Sequence, residues 1–256
     1  MFHAKKFLGQ NFLSNTNILM AMVRAAQVSK KDIVLEIGPG KGSLTELLAQ
    51  RAKKVIAIEK DRDLIPLLEE KFATTPNVEI IEGDILNYKL PTKNYKLVSN
   101  IPYYLTGRLI RLFLESPRRP SVMVLIIQRE VAERIMGKIN PSTKLGVKES
   151  LLSISVKAYG SPKIIRIVPR GAFNPPPSVD SAIIAIEHIS DAWFIKNSIK
   201  PADFFAMLRK AFQNKRKMLK NSLPTCMLNT ECSTKRPEEL SLEDWATLLN
   251  TRCSIS

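Results

Sequence analysis

From Lys31 onward the chain repeatedly switches its hydrophobic period, and this alternation constrains the fold more than any other feature. Five short β-branched runs, DIVLEIG (Asp32–Gly38), KVIAIEKD (Lys54–Asp61), NVEIIEGD (Asn77–Asp84), YKLVSN (Tyr95–Asn100) and SVMVLIIQ (Ser121–Gln128), stand among stretches such as SLTELLAQRAK and LTGRLIRLFLES that carry apolar residues at helical spacing. Strands that alternate with helices of about ten residues require parallel crossovers, which predicts an α/β, Rossmann-like, doubly wound sheet. Two later runs, KIIRIV and SVDSAIIAIEHI, are joined only by PRGAFNPPP. That link is too short for a crossover helix, so they are expected as an antiparallel pair at one edge, completing seven strands. Beyond Ile189 the strand pattern stops. The reading is a catalytic domain over 1–189 and a small helical domain over 190–256. The latter has a long basic helix striped by Phe204, Leu208, Phe212 and Leu219, and a last helix capped by Ser241.

Ligands of open α/β sheets bind beyond the carboxyl ends of the strands, where the strand order reverses. Four strands here end in pointed chemistry. The first runs into GPGKG, whose Gly38, Gly40 and Gly42 allow a sharp turn and close backbone approach. The second ends at Glu59, placed to accept both hydroxyls of a ribose, and the third at Asp84, an acceptor for an exocyclic amine such as that of adenine. Taken singly these could be a tight turn, a surface ion pair and a helix cap; in register at successive strand ends they point to a nucleotide. The third glycine falls one place early for a dinucleotide fingerprint, and no GK[ST] follows for a P-loop. Seven strands with a late antiparallel pair suit S-adenosylmethionine better than NAD.

The fourth strand ends in SNIPYYLTG (Ser99–Gly107), which is neither a turn sequence nor a core sequence. The bland alternative is a proline loop whose tyrosines pack on the next helix.

Charge narrows the partner. Lys and Arg number 39 against 24 Asp and Glu, a formal +15, and such an excess favours a polyanion. The candidate contacts are Lys5 and Lys6, then Arg108 and Arg111 one helical turn apart, then Arg209, Lys210, Lys215, Arg216, Lys217 and Lys220. A solvated basic surface is the plain alternative; a membrane surface fits less well, because the cations are spread over several segments. Cys226, Cys232 and Cys253 form no CxxC pair, and His3 and His188 have no partners at ligand spacing, so neither a disulfide framework nor a metal site is expected. No secretory leader or membrane span is read, so a cytoplasmic protein is expected.

The stretches GQNFL (Gly9–Leu13), EIGPGKGSLT (Glu36–Thr45), NIPYY (Asn100–Tyr104), GAFNPPPSVDSA (Gly171–Ala182), FQNKRKMLKNSL and RPEELSLEDWATL together resemble the KsgA family. That family comprises S-adenosylmethionine-dependent adenine-N6,N6-dimethyltransferases of small-subunit (16S) ribosomal RNA. The resemblance implies that Gln10, Asn11 and Leu13 fold over the cofactor, Gly38 and Gly40 meet it, Glu59 binds its ribose, Asp84 holds its adenine amine, and Asn100 stands between cofactor and substrate. It implies two adjacent adenosines in a 3′-terminal hairpin as target, the small ribosomal subunit as partner, and a monomeric enzyme. Ser178 in place of a usual lysine, the Thr106–Gly107 pair and a short Pro224–Arg236 segment depart from the family pattern, and they touch RNA contacts rather than chemistry.

Within that frame Asn100 and the Ile101 carbonyl would accept from the adenine N6 amine, Pro102 would stiffen the loop, and Tyr103 would stack on the base. Phe173 is a candidate for the opposite face of the flipped base, or else a plug in the core. Two rivals remain: a large-subunit ribosomal RNA adenine methylase, and a ribosome-assembly or transcription factor of the same fold without catalysis.

Overall fold

The computed structural model describes residues 5, 9–88, 94–139, 147–223 and 230–250. The chain divides into two compact units, 1–132 with 161–189, and 133–160 with 190–256.

The first unit holds a seven-stranded sheet. Its strands are β1 (Ile33–Ile37), β2 (Lys54–Glu59), β3 (Val78–Glu82), β4 (Tyr95–Asn100), β5 (Val122–Gln128), β6 (Ser161–Val168) and β7 (Ser181–Glu187). Their order is β3-β2-β1-β4-β5-β7-β6, and β7 runs antiparallel to both of its neighbours. Helices α1 (Thr16–Ala25), α2 (Ser43–Ala49), α3 (Ile65–Phe72) and α4 (Thr106–Glu115) accompany the strands. The near-continuous apolar runs of the central strands follow from burial on both faces. Val34, Val55, Val98, Val124 and Ile183 join Ile18, Met22 and Leu48 of the helices in one core. Asn15 caps α1 by accepting from the Asn17 and Ile18 amides at 3.1 and 3.3 Å.

Chain order reverses at β1, with β2 on one side and β4 on the other. The β1–β4 register runs only to Leu35 opposite Leu97, whereas β1–β2 continues to Ile37–Ile58 and β4–β5 to Asn100–Ile126. Beyond Leu35 the two central strands part. The fully buried Ser99 spans the gap, its Oγ donating to the Ile37 carbonyl at 2.6 Å.

The second unit consists of helices α6 (Leu151–Tyr159), α7 (Ala192–Lys196), α8 (Pro201–Gln213), α9 (Thr230–Ser233) and α10 (Leu242–Asn250), with a two-residue antiparallel pairing of Lys138–Ile139 with Val147–Lys148. Helix α5 (Arg129–Met136) crosses the division. The sequence pattern places the domain boundary at 189; the structure groups 133–160 with the C-terminal helices instead. The reason is aromatic: Tyr159 of α6 lies 4.9 Å from Phe194 and 5.9 Å from Phe205, centroid to centroid, inside the cluster that also holds Phe204 and Trp193. Ser241 accepts from the Asp244 amide at 3.0 Å and caps α10, as its sequence predicts.

A second correction concerns the basic helix. It ends at Gln213, so Lys215, Arg216 and Lys217 lie in a turn and Lys220 in a 3₁₀ segment. The run 214–218 offers no apolar face to bury, while Leu219 and Leu223 must return to the core.

Gly42 precedes α2 at φ +75°, and a Cβ there would stand 2.7 Å from the ring of Phe72 in α3. Gly42→Ala is therefore expected to cost about 2 kcal/mol through left-handed strain and overpacking. A thermal midpoint lowered by several degrees checks it; an unchanged midpoint contradicts the packing described.

Candidate cofactor and substrate site

The parted strands open a cavity that lies wholly within the first unit, walled by the loops after β1, β2, β3 and β4 and by residues 9–14 of the N-terminal strap. Gln10, Asn11, Leu13, Gly38, Gly40, Glu59, Asp84, Asn100, Ile101, Pro102 and Tyr103, all singled out from sequence, line it together.

The loop after β1 is set by Gly38, at φ +63°, whose N–H donates to the Ile58 carbonyl at 2.8 Å. A Cβ at Gly38 would meet nothing within 4 Å, so the space beside it is open cavity and not taken up by packing. Glu59 is 6% exposed yet well oriented. Its Oε2 accepts from the Gly40 N–H at 3.1 Å, and its Oε1 from those of Lys60 and Asp61, each at 2.9 Å. Burial pushes its carboxyl above the ordinary value, the three amides pulling the other way. Asp84 accepts from the Leu86 N–H at 3.0 Å and from Lys60 Nζ at 2.9 Å. Desolvation opposes its charge, but those two donors outweigh it and hold the carboxyl below its usual range. Asp84 thus serves as turn cap and cavity acceptor at once.

At the other end Asn100 donates from Nδ2 to the Asn11 carbonyl at 3.0 Å, which leaves Oδ1 as the accepting end of the amide. Tyr103 is fixed by a 2.5 Å hydrogen bond between its hydroxyl and Ser181 Oγ, a fully buried group at the start of β7.

Three expectations change. Phe173 does not line the cavity: it is buried in the core, pairs its backbone with Leu13, and leaves the next residue, Asn174, at the cavity wall. An apolar ring at that bridge gains more from the core than from solvent. Gln10 lines the cavity, but both ends of its amide are engaged, Oε1 by the Lys5 N–H at 2.8 Å and Nε2 by Asp61 at 2.6 Å. Lys5, read as a phosphate contact, has its ammonium on Asp61 and Asp63, each at 2.6 Å, because a buried carboxylate demands a counter-charge. Lys6, His3, Cys226 and Cys253 lie outside the described residues. Cys232 is a buried thiol and not part of a disulfide, and among the described residues no group of His, Cys, Asp and Glu could hold a metal. Arg108, Arg111, Arg209, Lys210, Lys215, Arg216, Lys217 and Lys220 are all exposed, with Arg111 3.8 Å from Glu115 on its own helix.

Sequence reasoning missed Glu36, Lys60, Asp61 and Asn174. Glu36 is 2% exposed at the cavity wall, with Oε2 lacking any hydrogen-bond partner. Burial pushes its carboxyl up to about 8, the Thr45 hydroxyl pulling against this and the Glu59 charge adding to it. Read as EIG, the glutamate is just the one polar residue in an apolar strand; only burial reveals it.

The family model described as ribosomal RNA adenine dimethylase matches residues 1–247. A ribosomal RNA small subunit methyltransferase A from Dehalococcoides mccartyi is 39% identical over 262 aligned residues, spanning 96% of this chain and 87% of that protein. One from Alkaliphilus oremlandii is 38% identical, spanning 97% and 92%. Among solved structures, a dimethyladenosine transferase from Plasmodium falciparum superposes with a TM-score of 0.77 at 28% identity, covering 93% of this chain and 96% of that one. The 23S rRNA methyltransferase ErmE, at 24% identity and TM-score 0.75, shares the fold, with 94% and 99% covered.

The raised Glu36 carboxyl has a pH consequence. Its proton is held to about pH 8 when folded but only to about 4.5 when unfolded, so this group's contribution to stability falls as pH rises across that interval. Glu36→Gln removes the dependence. Its thermal midpoint relative to the parent is expected to rise by several degrees between about pH 5 and about pH 8.5; a constant difference counts against a neutral Glu36.

Proposed function

We infer how the cavity works from one premise: the chain belongs to the ribosomal RNA adenine dimethylase family. It is a methyltransferase. We propose that it transfers methyl groups from S-adenosylmethionine to the N6 amines of two adjacent adenosines in a 3′-terminal hairpin of small-subunit 16S ribosomal RNA, giving dimethyladenosine during ribosome biogenesis.

The observation that carries this reading is the Asn100 amide, turned so that Nδ2 is satisfied by Asn11 and Oδ1 is left to accept. An adenine N6 amine is a weak nucleophile, because its lone pair is delocalised into the ring. Accepting its N–H groups at Asn100 Oδ1 and at the Ile101 carbonyl favours a more tetrahedral nitrogen with that lone pair available. Pro102 holds the intervening backbone at a φ of −58°. Tyr103, anchored by its hydroxyl to Ser181, is held as a plate on which a flipped base can stack, worth about 1–3 kcal/mol.

The cofactor end fits S-adenosylmethionine. Glu59 offers a pre-oriented carboxylate for ribose hydroxyls, Asp84 an acceptor for the adenine amine, Gly38 open space beside its backbone, and Glu36 an unpartnered oxygen in the wall. When bound, that cofactor supplies an electrophilic methyl carbon on a sulfonium. The protein's contribution is then alignment of the amine with that methyl, with the released proton left to solvent, and such positioning accounts for most of the catalysis.

RNA affinity is proposed to come from the exposed cations, Arg108 and Arg111 on the first unit and Arg209, Lys210, Lys215, Arg216, Lys217 and Lys220 on the second. Phosphate contacts position but do not specify, so target choice rests on RNA shape. We accordingly read the first unit as catalytic and the second as RNA-binding, in a cytoplasmic monomer acting on the small ribosomal subunit. Among the described residues no helix is long and apolar enough to cross a membrane.

Incubation with labelled S-adenosylmethionine and unmethylated small subunits, followed by nucleoside mass spectrometry, is expected to yield dimethyladenosine. Its absence, or preferential labelling of large subunits, overturns the proposal. Asn100→Ala is expected to lower kcat/KM by about 100-fold while cofactor still binds. Joint replacement of Lys215, Arg216 and Lys217 by Ala should flatten the log–log dependence of RNA binding on salt, by about 1 for each phosphate these cations neutralise. An unchanged slope removes those three from the RNA interface.

A further inference from the structure

One buried charge plays no part in the reading above. Asp61 lies two residues beyond the ribose acid Glu59, with its side chain 1% exposed. Its Oδ2 accepts from Gln10 Nε2 at 2.6 Å, and its Oδ1 from Lys5 Nζ at 2.6 Å and the Asp63 N–H at 3.2 Å. Both polar ends of Gln10 are thereby used, since Gln10 Oε1 takes the Lys5 N–H at 2.8 Å. Asp61 also reaches inward, its own N–H donating to Glu59 Oε1 at 2.9 Å. The neighbour of Gln10 in the strap is Asn11, whose carbonyl orients the Asn100 amide.

These bonds form a continuous path. Glu59 is tied to Asp61, Asp61 to Gln10, and Asn11, one peptide further, to Asn100. We propose that Asp61 is a positioning residue. It latches the N-terminal strap across the cavity, so that the strap closes over the cofactor and the Asn11 carbonyl holds Asn100 with Oδ1 turned toward the amine. This rests on the proposed S-adenosylmethionine site and deepens it, by assigning the closure of that site to one carboxylate outside the cavity lining.

The charge is essential to the latch. Two donors from the strap, one an ammonium, converge on a carboxylate shut away from water, where charge-assisted hydrogen bonds are strongest. The other anchors of the strap lie beyond Asn11: Phe12 and Leu13 pair with Asn174 and Phe173, Leu13 is buried in the core, and Phe12 packs on Leu64, Leu68 and Phe72. Removing the carboxylate leaves Gln10 and Lys5 without their acceptor and frees Asn11 to move.

The test uses the full chain and three variants, Asp61→Ala, Asp61→Asn and Asp63→Ala. Asp63 also pairs with Lys5 but is 64% exposed, so it controls for loss of a surface charge. Calorimetric titration with S-adenosylmethionine and hydrogen exchange at the 9–14 amides are measured alongside turnover. For Asp61→Ala the affinity is expected to fall by about tenfold or more, exchange at the Asn11–Leu13 amides to accelerate, and kcat to drop in addition to the rise in KM. Asp61→Asn should fall between, because it keeps an acceptor for Gln10 but not the charge for Lys5. Asp63→Ala should stay within about twofold of the parent, as exposed ion pairs do.

If Asp61→Ala binds the cofactor as the parent does and its strap amides exchange no faster, the latch is wrong even if the variant is less stable. If the parent itself binds no S-adenosylmethionine, it is the proposed function that fails.

Discussion

The whole site depends on where two parallel strands stop being paired. β1 and β4 run together to Leu35 and Leu97 and then diverge, each staying bonded to its outer neighbour. Divergence leaves backbone groups of the last residues without a ladder partner, a cost of about 1–3 kcal/mol for each one buried unsatisfied. Ser99 meets that cost by donating to the Ile37 carbonyl, and its small side chain does so without filling the opening. The cleft is therefore a stable feature of the sheet. On its two lips stand Gly38 and Asn100, the residues that the proposed reaction assigns to cofactor and substrate.

The electrostatics of the cavity differ from those of the protein surface. A chain of formal charge +15 sets Glu59 and Asp84 at the strand ends of its cavity, beside a Glu36 whose proton is retained by burial to about pH 8. Lys60 sits at the rim paired with Asp84, Lys5 is paired with Asp61, and Lys41, also in the wall, has its ammonium 5.1 Å from the centroid of the Phe12 ring. The cavity thus holds its charges largely compensated, whereas the Arg and Lys exposed on both units favour polyanions.

How much of this is legible in the sequence follows from the range of the interactions. The strand–helix alternation is a local signal, and it yields the sheet, the late antiparallel pair and the strand-end residues Gly38, Glu59, Asp84 and Asn100. The Asp61 latch joins residues 56 positions apart, Lys5 and Asp61, and no periodicity encodes such a pairing. Phe173 is ambiguous for another reason: an aromatic in a proline-rich loop is equally at home on a base or in a core, and its bridge to Leu13 decides for the core. The basic helix reads too long because an apolar stripe at 204, 208, 212 and 219 looks continuous past Gln213; Leu219 is buried, but reached through a turn. The grouping of 133–160 with the C-terminal helices depends on the Tyr159 ring, visible only once Phe194 and Phe205 are placed around it.

Phe173 acquires a different importance through that bridge. Its pairing with Leu13, and that of Asn174 with Phe12, attach the strap to the loop leading into β7. Ser181 opens β7 and holds the Tyr103 hydroxyl. The strap is therefore anchored on the ribose side through Asp61 and on the substrate side through the loop before Ser181. Asn11 lies between these anchors, with its carbonyl on Asn100. In the proposed reaction a displacement at either end would reach the same amide, and cofactor closure and amine orientation would be coupled by a short segment, 9–14, that belongs to neither the seven-stranded sheet nor its helices.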